Sequence, residues 1–83
     1  MENILKITMS KFLKIDKLDP TITYIIKFKN DIINIHRDYN KYKLNYEIFI
    51  NDIPLSTSNA NTNEVIRFLK RRYKIKNSSW HII

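Results

Sequence analysis

Apolar and polar positions alternate along much of this chain, and the alternation predicts a small sheet carrying helices. In residues 4–9, Leu5, Ile7 and Met9 fall on one side and Lys6 and Thr8 on the other, the period-two pattern of a half-buried strand. Residues 10–18 mix charge with Phe12, Leu13 and Ile15 and read as the strand end and a loop. Asp19-Pro20 is a helix-start signal, with Asp as N-cap and Pro at the first helical position, where its missing N–H costs nothing. The following TITYIIKFKN sets Ile22, Ile25, Ile26 and Lys29 at helical spacing and predicts a first helix up to Asn30. Its β-branched residues are poor intrinsic helix formers, which leaves a strand open there.

Residues 32–37 and 44–50 alternate again, with Ile33 and Ile35, then Leu44, Tyr46, Ile48 and Ile50, as inward faces. The polar RDYNKYK between them makes the pair an antiparallel hairpin. Asp52-Ile53-Pro54-Leu55 ends the second strand, because Pro cannot donate to a ladder. After the polar STSNAN, residues 61–77 have helical period. Val65, Ile66, Leu69 and Tyr73 share one arc roughly 100° wide at ~100° per residue, with Phe68 just outside it. Arg67, Lys70, Arg71 and Lys74 fall on the opposite side. Asn61 with Glu64 resembles a capping box, and the late cations suit the negative end of the helix dipole. A turn at Ser78-Ser79 and a closing strand over residues 80–83 complete the order β-α-β-β-α-β. The expectation is one small α+β domain over residues 1–83, an antiparallel or mixed sheet with two helices packed on one face. Leu5, Ile7, Ile33, Ile35, Tyr46, Ile48, Val65, Leu69 and Tyr73 are the expected core.

Charge adds a partner to this picture. The net charge of +7 favours a polyanion over an acidic small molecule. With no cysteine there is no disulfide framework and no thiolate metal site. With no glycine there is no P-loop, no dinucleotide fingerprint and no glycine clamp of the KH type. No apolar run is long enough to span a membrane. His36 and His81 are the only histidines, and no clustered carboxylates accompany them, so neither a metal site nor a catalytic pair is expected. Asp16, Asp19, Asp31, Asp38, Glu47 and Asp52 are scattered over turns and strand ends, where capping and turn formation use them. Trp80 could stack on an unpaired base, but a lone Trp beside a helix end reads more readily as core packing.

A rigid row of cations suits RNA, because an A-form duplex hides its base edges and is read through phosphates, 2′-hydroxyls and shape. Arg37, Lys41 and Lys43, interleaved with Tyr39 and Tyr42 in the hairpin turn, are a second candidate contact, or only a solvated turn.

Several stretches resemble a known family. ILKITM, IINIHR, DIPLS, FLKRRYKIKN and Trp80 with Ile82-Ile83 are similar, in the same order, to segments of the eukaryote-specific large-subunit ribosomal protein L-twenty-two family. The chain departs from that pattern in a shorter first-helix region, in the STSNAN insertion, and past Ile83, where the family adds a strand and an acidic tail. The family's helix lysines fall on Arg67, Arg71, Arg72, Lys74 and Lys76, while Lys70 takes a family polar position. The resemblance implies a non-catalytic constituent of cytoplasmic ribosomes. It implies ribosomal RNA of the large subunit and neighbouring ribosomal proteins as partners, and no cofactor, small-molecule substrate or membrane. A free-standing RNA-binding or inhibitory protein, and a small nuclease or toxin-like enzyme using His36 or His81, are the competing readings.

Overall fold

A computed structural model describes residues 3–55 and 59–75 of the chain. The described elements are β1 (Asn3–Ile7), α1 (Met9–Phe12), β2 (Ile22–Phe28), β3 (Asp31–Arg37), β4 (Tyr46–Ile50), β5 (Ile53–Pro54) and α2 (Thr62–Arg72). They form a small α+β domain whose five strands lie in sequence order. β1 runs parallel to β2, and every later pair is antiparallel.

The expected helix over TITYIIKFKN is a strand. Asp19-Pro20 does start an element, but through a turn. The Thr21 N–H and hydroxyl both donate to Asp19 Oδ1 (2.9 and 2.6 Å), and Ile22 N–H donates to the Asp19 carbonyl. Asp followed by Pro is equally the opening of a β-turn, and the β-branched run behind it settles the outcome in favour of a pleated backbone. The first helix is instead the single turn α1, inside the stretch expected to be strand end and loop. Thr8 caps it by accepting from Lys11 N–H, and Met9 and Phe12 are buried beneath it. Met9 is thus helical rather than the last residue of the first strand.

Both helices lie on one face of the sheet. In register, Tyr24–Ile35–Ile48 and Ile26–Ile33–Ile50 make two cross-strand rows on that face. Val65 and Leu69 from α2 join them in one core with Met9, Phe12 and Leu18 from the β1–β2 connection. Ile33, Ile35, Tyr46, Ile48, Val65 and Leu69 therefore sit where the sequence places them. Leu5 does not: it is 41% exposed. It pairs with Tyr24 on the correct face, but β1 is an edge strand, and a helix running along the strands is only ~10–12 Å across, about two to three strand spacings. Ile7 and Tyr73 are half-buried against the core, and Leu44 is exposed in the loop before β4.

The helix is tied down at its start. Leu18 N–H donates to Thr62 Oγ1 (2.8 Å), and Tyr46 N–H donates to the Asn59 carbonyl (2.9 Å). Tyr24 and Tyr46 use their hydroxyls on the same connection: Asp19 N–H donates to Tyr24, and Tyr46 donates to the Leu18 carbonyl. The start of α2 is thereby fixed at the β3–β4 loop end of the sheet, and its end reaches the β2–β3 turn. The expected closing strand, with Trp80 and His81, lies outside the described residues.

Candidate nucleic-acid interface

Helix α2 begins as its sequence dictates. Asn61 Oδ1 accepts from Glu64 N–H (3.0 Å), and the Glu64 carboxylate accepts from Ala60 N–H (3.2 Å), a capping box displaced by one residue. Thr62, Val65 and Leu69 are its buried positions, and Arg67, Arg71 and Arg72 are exposed, with Lys70 half-buried.

The helix stops earlier than its periodicity suggests. Tyr73 is the C-cap and Lys74 takes a left-handed conformation with φ 55°. Ile75 N–H then donates to the Lys70 carbonyl (2.8 Å) and Lys74 N–H to the Arg71 carbonyl (3.3 Å). This pair of bonds is the Schellman motif, which satisfies the last carbonyls and turns the chain so that Ile75 packs back on the core. Lys74 is therefore exposed just beyond the helix rather than on its stripe, and Lys76 lies outside the described residues. The periodicity continues through FLKRRYKIK, but the burial of Ile75 and the anchoring of Tyr73 override it.

Tyr73 carries that anchor. Its ring meets Phe28 edge-on (5.2 Å between centroids), and its hydroxyl donates to Asp31 Oδ2 (2.8 Å). Asn51 Nδ2 donates to Asp31 Oδ1 (2.9 Å), and Asn51 Oδ1 accepts from Ile32 N–H (3.0 Å). These bonds from Asn51 and Tyr73, helped by the Arg72 charge, hold the Asp31 carboxyl below its ordinary range. Burial, with the Asp31 bond and charge behind it, pushes the Tyr73 hydroxyl up, so it stays a neutral donor. Asp31, Phe68, Arg71, Arg72 and Tyr73 line an open cleft of about 520 Å³. Lys29 stands in the β2–β3 turn, its Nζ 5.5 Å from the centroid of Phe28, the ring that Tyr73 packs against.

The structure thus gathers Arg71, Arg72 and Lys29 about one end of the sheet, with Lys74 just past the helix and Arg67 one turn back. Lys29 is the member that sequence reasoning misses. Its signal is a Lys-Asn pair between two β-branched runs, a two-residue hairpin loop once TITYIIKF is a strand.

The hairpin cations are elsewhere. β3 carries Asp31 at one end and Arg37 at the other, six residues or ~20 Å apart. Arg37 is half-buried, with its guanidinium 5.3 Å from the Tyr39 ring centroid. Lys41 and Lys43 are exposed in a loop shaped by Asp38, which accepts from Asn40 N–H through Oδ1 and from Lys41 N–H through its carbonyl. Arg37, Lys41 and Lys43 are thus a separate group at the opposite end of the sheet, not an extension of the helix site.

His36 is committed to local contacts. Nδ1 lies 3.1 Å from the Arg37 carbonyl, and Nε2 lies 3.5 Å from the Glu47 carboxylate. Among the described residues no three His, Asp or Glu side chains gather as a metal ion requires, and no helix is long and apolar enough to cross a membrane.

Exposed guanidinium groups beside an open cleft are suited to phosphate oxygens, which they engage in planar, bidentate fashion. Among the described residues the cluster sets exposed cations around one open cleft. No family model, no curated protein and no solved structure matches the chain.

Proposed function

We propose that this chain is a structural RNA-binding protein of the large ribosomal subunit that engages ribosomal RNA through α2 and carries out no catalysis. The observation that supports it most is the division of α2 into two sides. Val65 and Leu69 are completely buried, so the exposed Arg67, Arg71 and Arg72 stand in fixed positions, with Lys74 beyond them. The packed helix fixes the spacing of these cations, and RNA duplexes are recognised through their phosphate backbone. The ribosomal setting is supported by the resemblance of ILKITM, DIPLS and the basic helix to the L-twenty-two family. Neighbouring ribosomal proteins would then be partners as well.

The test is to purify ribosomes from the source and wash them in high salt. Co-sedimentation of the protein with large subunits is the expected result. Binding to structured RNA without co-sedimentation would make it a free-standing RNA-binding protein. Cleavage of RNA by clean protein, lost in a His36→Ala/His81→Ala variant, would overturn the non-catalytic reading.

A further inference from the structure

The face of the sheet turned away from both helices has a chemistry of its own. Across it the register makes one row, Lys6–Ile25–Asn34–Phe49, running ~14 Å over four strands. At one end Phe49 and His36 are stacked, with centroids 5.5 Å apart and planes 19° from parallel. The imidazole is held in that plane by the Arg37 carbonyl on one nitrogen and Glu47 on the other. Thr23 and Asn34 join the two rings around a shallow depression of about 260 Å³. Beside it, Lys6 and Lys27 flank Ile25 in a second depression of about 280 Å³.

We propose that this face binds a short run of unpaired RNA, with a base stacked on the Phe49–His36 ledge and the flanking phosphates on Lys6 and Lys27. The charges select the occupant. Both lysines are exposed, while Glu47, the carboxylate of this face among the described residues, is turned to His36. An apolar protein surface would leave Asn34, Thr23 and the lysines without partners. A nucleobase instead offers a π-face for the rings and a polar edge for the Asn34 amide. The inference rests on RNA as the ligand, but its surface is separate from α2, so the two readings fail separately.

The experiment measures binding of the whole chain to labelled oligouridylate and to a labelled RNA hairpin by fluorescence anisotropy. Phe49→Leu removes the ring while keeping apolar bulk, and it should weaken oligouridylate binding about 5–150-fold, the usual effect of losing one stacked base. Hairpin-stem affinity should stay nearly unchanged. Phe49→Trp should restore single-strand binding, which separates loss of stacking from loss of fold. Lys6→Ala/Lys27→Ala should weaken oligouridylate and reduce its salt dependence, whereas Arg71→Ala/Arg72→Ala should act mainly on the stem. Equal oligouridylate affinity for Phe49→Leu, Phe49→Trp and the unmodified protein would overturn the inference. So would a concentration-dependent dimer that Phe49→Leu dissociates without changing single-strand affinity, because a second copy would then be the occupant. Stem binding lost only through the arginines would leave the helix reading standing in either case.

Discussion

Leu69→Ala tests the packing that fixes the basic helix. Leu69 is fully buried, and it is joined in one core to Val65, Ile26, Ile33 and Ile35. Truncating such a leucine costs roughly 2–5 kcal/mol, the upper part applying where rigid neighbours cannot close the cavity. Here the neighbours are sheet residues held by ladder bonds on both sides, so the larger half of that range is expected. An 83-residue domain is stable by about 4–12 kcal/mol, so the change removes a large share of the total. With an unfolding entropy of about 2.1 cal/mol/K per residue, that upper half corresponds to a fall in melting temperature of roughly 20–30 °C. Circular dichroism melts and urea titrations measure it, and the urea midpoint should fall without a change in slope. Arg67→Ala, on the exposed side, should stay within about ±0.5 kcal/mol. A Leu69→Ala protein that melts within a degree or two of the parent, or an Arg67→Ala protein that loses more, would mean that the helix faces the other way.

Substitutions at the helix end, and one at the opposite loop, have their own expected outcomes. Lys74→Gly should raise stability by about 1 kcal/mol, because glycine occupies the left-handed region without the Cβ penalty, yet weaken RNA binding by removing a cation; urea midpoints and anisotropy titrations read the two effects separately. Asp31→Asn should strengthen RNA binding severalfold by removing the carboxylate beside Arg71 and Arg72. The same substitution tests the pH dependence. The Asp31 pKa is lowered on folding, so its contribution is present above the ordinary carboxylate range and lost as pH falls through the folded value. The acid limb of the stability profile should therefore flatten in Asp31→Asn. Lys41→Ala should change stem binding much less than Arg71→Ala, because the β3–β4 loop lies at the far end of the sheet.

The second half of the chain was legible because its signals agree with one another. Asn61, Glu64 and the Val65–Leu69 spacing all define one helix, and Ile33–Ile35 with Tyr46–Ile48–Ile50 define one hairpin face. The first half was less legible, for two physical reasons. Asp19-Pro20 opens a turn as readily as a helix, and the β-branched run behind it favours a strand that is completed by pairing with β1 and β3. The chain also has no glycine to mark its sharp turns. Lys29, Asn51, Asp52 and Lys74 take the positive φ values instead. Lys29-Asn30 therefore looked like helix, and Asn51-Asp52 hid the hairpin that adds β5. Phe12 and Leu18 read as loop residues because no period links them, yet both are buried once the crossover folds onto the sheet. At the candidate site the arginines were visible from their spacing. Lys29 and Asp31 depended on a register that no local pattern contains.

The salt dependence of binding to a structured RNA shows whether the α2 cations meet phosphates. If Arg67, Arg71, Arg72 and Lys74 meet phosphates, the log–log slope of affinity against salt should be roughly −3 to −4, at about 0.7–0.9 per neutralised phosphate. Arg71→Ala should reduce its magnitude by about one and weaken binding alike for different duplex sequences. A slope unchanged after all four cations are replaced, in a protein that still folds, would contradict the account and leave the helix face merely solvated.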